Sequence, residues 1–200
     1  MLRIAFIILL YLITSPGFGQ YNWKLEKDKN GIKVYSSEMP NSAFKAVKVE
    51  CTLTGSYTKL VSILTKVSLF SKWIYNTKYS KTVRQTTPLD FVYYSETSLP
   101  WPLSNRDAVI HLRIKTDSLP RFLTITGSDI PGLIPEIPGK VRVSQYAASW
   151  KVTMPTAKTI KIYYILELNP GGSIPAWVAN SFADKGPFET FSNLADLLKK

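Results

Sequence analysis

The sequence predicts an α+β fold in which a curved antiparallel sheet packs against one long C-terminal helix. Most of the 200-residue chain consists of short segments of alternating apolar and polar residues, separated by Pro, Gly and polar turns. The final segment, 174–200, instead repeats its apolar residues at helical spacing. Segments 99–107 and 169–177 each place prolines and a tryptophan where a predicted strand begins and where that helix opens, respectively. This arrangement suits the mouth of an apolar cavity.

The N-terminal segment has the pattern of a signal peptide. Arg3 supplies a positive charge, 4–13 is continuously apolar, and Gly17-Phe18-Gly19 offers small residues for cleavage. The apolar run is well short of the roughly 20 residues that span a bilayer, which disfavours a membrane anchor. We therefore expect cleavage after Gly19, a single domain over 20–200, and export to the periplasm or the medium.

The chain is strongly basic. Its formal net charge is +11, and removal of 1–19 would leave +10, because that segment contains Arg3 and no acidic residue. The lysines are spread over many segments without a block of like charge or a nucleic-acid-binding motif. We expect a monomer with a solvated basic surface and no nucleic-acid partner, and we leave open a transient contact with an anionic membrane surface.

Three strands are predicted at the start of the domain. Asn30-Gly31 is a strong hairpin signal, so strands 23–27 and 31–36 pair through that turn. In the third strand, 43–54, every second residue from Val47 to Leu53 is apolar, and Cys51 is one of them. We interpret this cysteine as a small core side chain rather than a nucleophile.

Two helices follow the third strand. Apolar residues recur at helical spacing from Tyr57 onwards, and Ser56 is a suitable N-cap. A short second helix includes the apolar residues Leu69, Phe70, Trp73 and Ile74.

The pattern then returns to strands before the final helix. Alternation in the last strand places Ile160, Tyr164 and Leu168 on one face, opposite charged residues, as in a sheet with one buried side. Gly186-Pro187 is expected to break or kink helix 174–200. The predicted strands are 79–85, 91–98, 107–116, 122–127, 140–152 and 159–168.

Several motifs together carry a family resemblance. They are Trp23 with 27–35, Trp73, Tyr93-Tyr94 ahead of 100–107, Val141-Arg142, Trp150, and 169–180. In this order and spacing the chain resembles the START (steroidogenic-acute-regulatory-related lipid-transfer) domain of the helix-grip superfamily. The resemblance implies a sheet that grips the C-terminal helix around a tunnel for one lipid, with the helix and nearby loops acting as a lid.

The resemblance also implies ligand-binding residues. Arg106 and Asp107 match the family's Arg-Asp pair at the start of a central strand, and we favour a structural anchor over ligand contact for this pair. The Arg106 charge would then be matched by Asp107, a backbone carbonyl or Glu96. A charged pair of Glu96 with Arg106 or Arg113 could instead hold a lipid head. The residues expected to bind ligand are Trp73, Tyr93, Glu96, Arg106, His111, Trp150, Trp177 and Phe182.

The segment 128–139 is rich in proline but carries several apolar residues. We expect it to pack over the tunnel mouth. An alternative is that its tip, Leu133 and Ile134, enters a membrane together with Trp177 and Phe182.

Three function classes remain open. A lipid carrier or sensor needs only an apolar cavity and a lid, and it is the favoured class. A cyclase- or hydrolase-type enzyme would need a placed acid and base, for which Glu96, His111 and Tyr93 are the candidates. The chain could also be an interaction module whose cavity is filled by its own aromatic rings. The lone His111 and Cys51 offer no metal cluster, and there is no nucleophile elbow or phosphate-binding loop, so we expect no cofactor, no metal and no enzymatic activity.

Overall fold

The computed structural model describes residues 21–117 and 121–200. The predicted signal peptide lies outside the described residues. The strands are β1 Lys24–Lys29, β2 Ile32–Glu38, β3 Lys45–Thr54, β4 Thr77–Thr87, β5 Asp90–Thr97, β6 Asn105–Thr116, β7 Phe122–Asp129, β8 Lys140–Arg142, β9 Ser144–Thr156 and β10 Thr159–Asn169. The helices are α1 Tyr57–Thr65, α2 Phe70–Trp73, α3 Ala176–Asn180 and α4 Lys185–Lys199, with a 3-10 turn at Val67–Leu69.

The strands form one large sheet in the order β1-β2-β3-β10-β9-β7-β6-β5-β4, in which each pair of neighbours is antiparallel. The fold class is therefore confirmed as α+β with a sheet that holds a C-terminal helix. Strand β8 adds to β6 in parallel. The predicted single strand 140–152 is thus two strands. Strand β8 ends at Arg142 and β9 begins at Ser144. The positive φ of 50° at Gln145 accompanies a register shift where the start of β9 pairs with β10.

One face of the sheet, here called the inner face, packs against the helices. The Ser56 hydroxyl accepts a hydrogen bond from the backbone N–H of Lys59 and so caps α1, as its position predicts. Helix α4 contributes Phe188, Phe191, Leu194 and Leu198 to the same core. Cys51 is buried in this core, and burial raises the pKa of its thiol to about 12.

The C-terminal segment is interrupted earlier than expected. Helix α3 ends at Asn180, a turn follows, and α4 begins at Lys185, so that Gly186-Pro187 lies in the first turn of a helix rather than at a break. A proline is tolerated in the first turn because the backbone nitrogens there have no carbonyl partner within the helix. No helix within the described residues is long and apolar enough to cross a membrane.

The opposite face of the sheet, here called the outer face, is covered in part by the segment 130–139. Ile130, Ile134 and Ile137 pack there against a second apolar cluster formed by Val92, Tyr94 and Val109. The expectation that this segment covers the tunnel mouth was wrong. Its isoleucines bury apolar surface on the side of β5 and β6 that faces away from the helices.

Candidate functional site

Two adjoining chambers lie between the inner face of the sheet and the helices. The inner chamber has a volume of about 280 Å³ and is walled mainly by aromatic and aliphatic side chains. This volume is just below the roughly 300–1,000 Å³ range of small-molecule pockets. The inner chamber is lined by residues that include Phe70, Trp73, Tyr93, Tyr146, Trp150, Tyr164 and Phe191.

The outer chamber, also of about 280 Å³, lies where the sheet meets the loop 98–104 and helix α3. Leu99 and Leu103 line it from that loop, and Val178 and Phe182 line it from α3 and the turn after it. Six residues line both chambers, which makes the two spaces neighbours: Tyr75, Thr97, Leu166, Leu168, Gly186 and Pro187.

Four of the expected ligand-binding residues line these chambers. Trp73, Tyr93 and Trp150 belong to the inner chamber, and Phe182 belongs to the outer one. The Trp73 and Trp150 rings meet edge to face with centroids 6.4 Å apart. These rings narrow the inner chamber without filling it.

The polar side chains of the inner chamber include Thr97, Thr190 and tyrosines on three separate strands. Tyr93, Tyr146 and Tyr164 all line this chamber. Burial raises the pKa of Tyr146 to about 12 and the pKa values of the other two further above their ordinary value. All three phenols therefore remain neutral at physiological pH and act as hydrogen-bonding groups.

Charge is scarce along both walls. Lys45, at the start of β3, is the single charged residue among those that line either chamber within the described chain. Its ammonium lies 3.6 Å from the carboxylate of Glu38.

Glu96 lies on the outer face of the sheet, away from the chambers. It forms an ion pair with Lys140, accepts a hydrogen bond of 2.8 Å from Asn105 Nδ2, and lies 3.5 Å from Lys78 Nζ. The hydrogen bond from Lys140 is the main cause that lowers the pKa of Glu96. The alternation of β5 explains this placement, because Tyr93 and Glu96 are three residues apart and point to opposite faces.

Arg106 lies at the end of the sheet beside the outer chamber but does not line it. Its guanidinium donates hydrogen bonds to the carbonyls of Ser104, Pro170 and Gly171. Asp107, a backbone carbonyl or Glu96 was expected from the sequence as the partner of this charge, and the structure shows backbone carbonyls. They anchor the linker between β10 and α3.

His111 also lies on the outer face. Its Nε2 is 2.6 Å from Asp90 Oδ1, and the same carboxylate accepts a hydrogen bond of 3.2 Å from Arg113. The three residues considered as acid or base therefore do not converge, since Tyr93 faces the inner chamber while Glu96 and His111 face the other way.

Two exposed tryptophans flank the outer chamber. Trp101 is 92% exposed and lies in the loop that supplies Leu99, Pro100 and Leu103 to the wall. Trp177 is 75% exposed and precedes Val178 on α3. Trp177 was expected to bind ligand, but its ring lies at the rim, outside the residues that line either chamber.

Helix α3 is tied to the sheet by one side chain. Asn180 Oδ1 accepts a hydrogen bond of 3.1 Å from the backbone N–H of Lys45, and Asn180 Nδ2 donates one of 3.1 Å to the carbonyl of Ala43. Because Val178 and Ala179 line the outer chamber, these two hydrogen bonds hold its wall in place.

Sequence reasoning missed Tyr146, Tyr75 and Phe191 as chamber residues, although signals existed for some of the wall. The alternation of β10 that placed Tyr164 and Leu168 on one face is the same pattern that lines the chambers. Within residues 21–117 and 121–200, no cluster of His, Cys, Asp and Glu could hold a metal ion.

Comparisons with known proteins agree with this geometry. A family model described as START domain matches residues 11–200. An uncharacterized protein of Pseudomonas aeruginosa is 32% identical over 90% of this chain and 88% of its own length. The phosphatidylcholine transfer protein of Mus musculus is 27% identical over 87% of this chain and 82% of its own. A STAR-related lipid transfer protein fragment from Xanthomonas axonopodis has a similar crystal structure, with a TM-score of 0.79 and 30% identity over 89% of this chain and 99% of that one.

Proposed function

This chain belongs to the START domain family, and from that premise we propose that it binds a lipid or another apolar small molecule in the two chambers and carries or senses it. The observation that carries the proposal is the pair of adjoining chambers, walled by aromatic and aliphatic side chains with a single charged residue among them. Such a wall favours burial of hydrocarbon at about 25 cal/mol per Å² of apolar surface. The names of the mouse and Xanthomonas relatives support a lipid as the ligand class.

The same geometry favours binding over the two alternatives. A filled interaction module would leave no chamber, whereas two spaces of about 280 Å³ remain here. An enzyme would need its acid and base to meet at one point, and the candidates Glu96, His111 and Tyr93 lie on opposite faces of the sheet. We therefore propose a binding protein without catalytic activity.

Native mass spectrometry of the purified protein, followed by lipid extraction, tests the proposal. We expect a bound mass that is released on denaturation and identified as a lipid. Leu168→Trp, which fills the junction between the chambers, should abolish the bound mass while circular dichroism shows a folded protein. Lys161→Trp, on the exposed face of the same strand, is the matched control and should retain it. A protein that carries no lipid and takes none up from mixed liposomes would contradict the proposal.

We propose that ligand exchange takes place at an anionic membrane surface. The two exposed tryptophans flank the outer chamber, and tryptophan is favoured at the boundary between lipid headgroups and hydrocarbon. The net charge of +11 adds attraction to anionic headgroups. The earlier hypothesis placed Leu133 and Ile134 at this contact, but Ile134 packs on the outer face of the sheet, so the rim tryptophans are the better candidates.

Export and a monomeric state complete the proposal. The sequence pattern of 1–19 supports cleavage after Gly19. N-terminal sequencing of the protein purified from its native source should therefore begin at Gln20, and sedimentation should give the mass of one chain. A protein that starts at Met1 would contradict export by this route.

A further inference from the structure

We propose that the ligand is a single-chain lipid with a singly charged anionic head, which binds at Lys45 on the rim of the outer chamber while its hydrocarbon chain extends into the inner chamber. This inference rests on the proposed lipid-binding function and names the class and orientation of the lipid. It is carried by the position of the one charged side chain among the described residues that line either chamber.

The first step is the direction of the Lys45 side chain. The alternation of β3 places Lys45 on the same face as Val47 and Val49, which belong to the core under the inner face. Lys45 and Val47 both line the outer chamber. The Lys45 side chain is 28% exposed, and a lysine in such a position keeps its methylene groups against apolar surface and its ammonium towards water. The ammonium therefore lies at the edge of the chamber, where a head group would meet solvent.

The second step is the weakness of the ion pair that Lys45 already forms. Its Nζ lies 3.6 Å from Glu38 Oε1, longer than the roughly 2.7–2.9 Å of a charge-assisted hydrogen bond. The Glu38 side chain is 76% exposed, and ion pairs open to solvent contribute little. The Glu38 carboxylate can therefore turn into water when a ligand anion takes its place.

A second carboxylate that interacts with Lys45, that of Glu26, has partners of its own. It accepts a hydrogen bond of 2.8 Å from Ser36 Oγ and lies 3.6 Å from Lys24 Nζ. The Lys45 ammonium is thus held at the chamber wall without a close counter-charge. An anionic head group would supply one.

The third step is the orientation of the ligand. Among the described residues that line the inner chamber, none is an Asp, Glu, Lys, Arg or His. An ionised head in that chamber would lose its hydration without gaining a partner of opposite charge, which is strongly unfavourable. A hydrocarbon chain has no such cost and gains from leaving water. The chain therefore belongs in the inner chamber and the charged head at Lys45.

The fourth step is the size and charge of the ligand. Two neighbouring spaces of about 280 Å³ each fall, taken together, within the range of pockets that hold one drug-sized molecule, which suits a single chain. One ammonium balances one negative charge. The carboxylate of a fatty acid and the phosphodiester of a lysophospholipid both meet this condition.

The test compares head groups on one hydrocarbon chain. Displacement of N-phenyl-1-naphthylamine would be measured at pH 8 with dodecanoate, dodecanoyl lysophosphatidylglycerol, 1-dodecanol and dodecyltrimethylammonium, each below its micelle concentration. We expect at least one anion to bind about 3- to 10-fold more tightly than 1-dodecanol, the gain from a charge-assisted hydrogen bond reduced by partial exposure. The anion that binds more tightly identifies the head group. Dodecyltrimethylammonium should bind most weakly.

Variants locate the preference at Lys45. Lys45→Met keeps the length of the side chain and the backbone N–H that Asn180 holds, and it should remove the preference for the anion while 1-dodecanol binding is retained. Lys161→Met, on the exposed face of β10, removes the same charge elsewhere and should leave the preference unchanged.

A second pair of variants changes the counter-charge instead of the lysine. Glu38→Gln frees Lys45 and should strengthen binding of the anion without affecting 1-dodecanol. Asp28→Asn removes an exposed carboxylate near the turn of the β1–β2 hairpin, at its other end, and is the matched control.

The outcomes separate the two proposals. If no ligand displaces the probe from the wild type, the lipid-binding function fails. This inference alone is overturned, and lipid binding stands, if 1-dodecanol binds as tightly as both anions, if Lys45→Met and Lys161→Met change the preference equally, or if dodecyltrimethylammonium binds best.

Discussion

Arg142 and Asp107 form a two-pronged ion pair on the outer face of the sheet. Arg142 Nε and Nη2 lie 2.8 and 3.0 Å from the two carboxylate oxygens of Asp107, whose side chain is 1% exposed. The same guanidinium donates hydrogen bonds to the carbonyls of Ile134 and Pro135. This one side chain therefore joins the start of β6, strand β8 and the segment 130–139.

Asp107→Asn should destabilise the protein by about 3 kcal/mol, because the Arg142 charge would keep its low-dielectric surroundings without a counter-charge. The segment 130–139 should lose protection in hydrogen exchange. Urea unfolding measures the first effect and mass-resolved exchange the second. Asp28→Asn, which removes a solvent-exposed ion pair with Lys33, is the control and should change stability by less than about 1 kcal/mol. Equal effects of the two variants would contradict the anchoring role of Arg142.

Glu96 should make the protein sensitive to acid. Its folded-state pKa is lowered chiefly by the hydrogen bond from Lys140, so the ionised form is the one that the fold stabilises. The stabilisation is present above the ordinary glutamate pKa of about 4.3 and is lost as the pH falls through the lower folded-state value. The difference in Tm between wild type and Glu96→Gln should therefore shrink as the pH falls from about 5 to about 3. Glu38→Gln, at a site 76% exposed, should show no such trend.

The sequence predicts local structure well where one short pattern decides it. Asn30-Gly31 gives the β1–β2 hairpin, and Ser56 caps α1. Residues whose role depends on distant partners were not predictable in the same way. Alternation along β6 fixes which residues share a face with His111, but it does not say whether that face is the inner or the outer one. The answer depends on which face of the sheet helix α4 covers.

Long-range partners explain the other differences. Arg142 meets Asp107 across 35 residues of sequence, and nothing local to either residue identifies the other. Tyr93, Tyr146 and Tyr164 lie on β5, β9 and β10, so only the strand order brings these three side chains to one chamber. The segment 130–139 is apolar enough to pack, but its sequence does not say against which face.

Gly171 should not tolerate a side chain. Its φ is +68°, and a Cβ there would lie 2.5 Å from the carbonyl oxygen of Arg142, too close for a non-bonded carbon–oxygen contact. Gly171→Ala should shift the linker held by Arg106 and loosen α3, and we expect a loss of about 1–3 kcal/mol in urea unfolding. Gly132→Ala also has a positive φ of 76° but meets no atom within 4 Å, so it isolates the cost of backbone strain. A smaller loss for Gly171→Ala than for Gly132→Ala would contradict the close packing of this linker.

Removal of bound lipid should lower thermal stability. A ligand that binds only the folded state at 100 times its Kd adds about 2.7 kcal/mol. For a domain of this size that corresponds to a rise in Tm of about 5–10 °C. Calorimetry of delipidated and reloaded protein measures the shift, and Leu168→Trp should show none. An unchanged Tm on reloading of the wild type would indicate that the chambers do not hold lipid.

The rim tryptophans should control membrane association. Transfer of one exposed tryptophan ring into the interface contributes about 1.5 kcal/mol or more, so Trp101→Ser and Trp177→Ser should each weaken binding to liposomes that contain anionic lipid by about tenfold. Phe122 is 51% exposed but does not line either chamber, so Phe122→Ser is the control for a general loss of apolar surface. Co-sedimentation at low and high salt separates the electrostatic contribution to binding from the apolar contribution. Salt weakens the attraction between the basic surface and anionic headgroups but does not weaken the insertion of tryptophan rings. If both tryptophan variants bind like wild type while high salt abolishes binding, charge alone holds the protein at the membrane, and the mouth of the outer chamber need not face the bilayer.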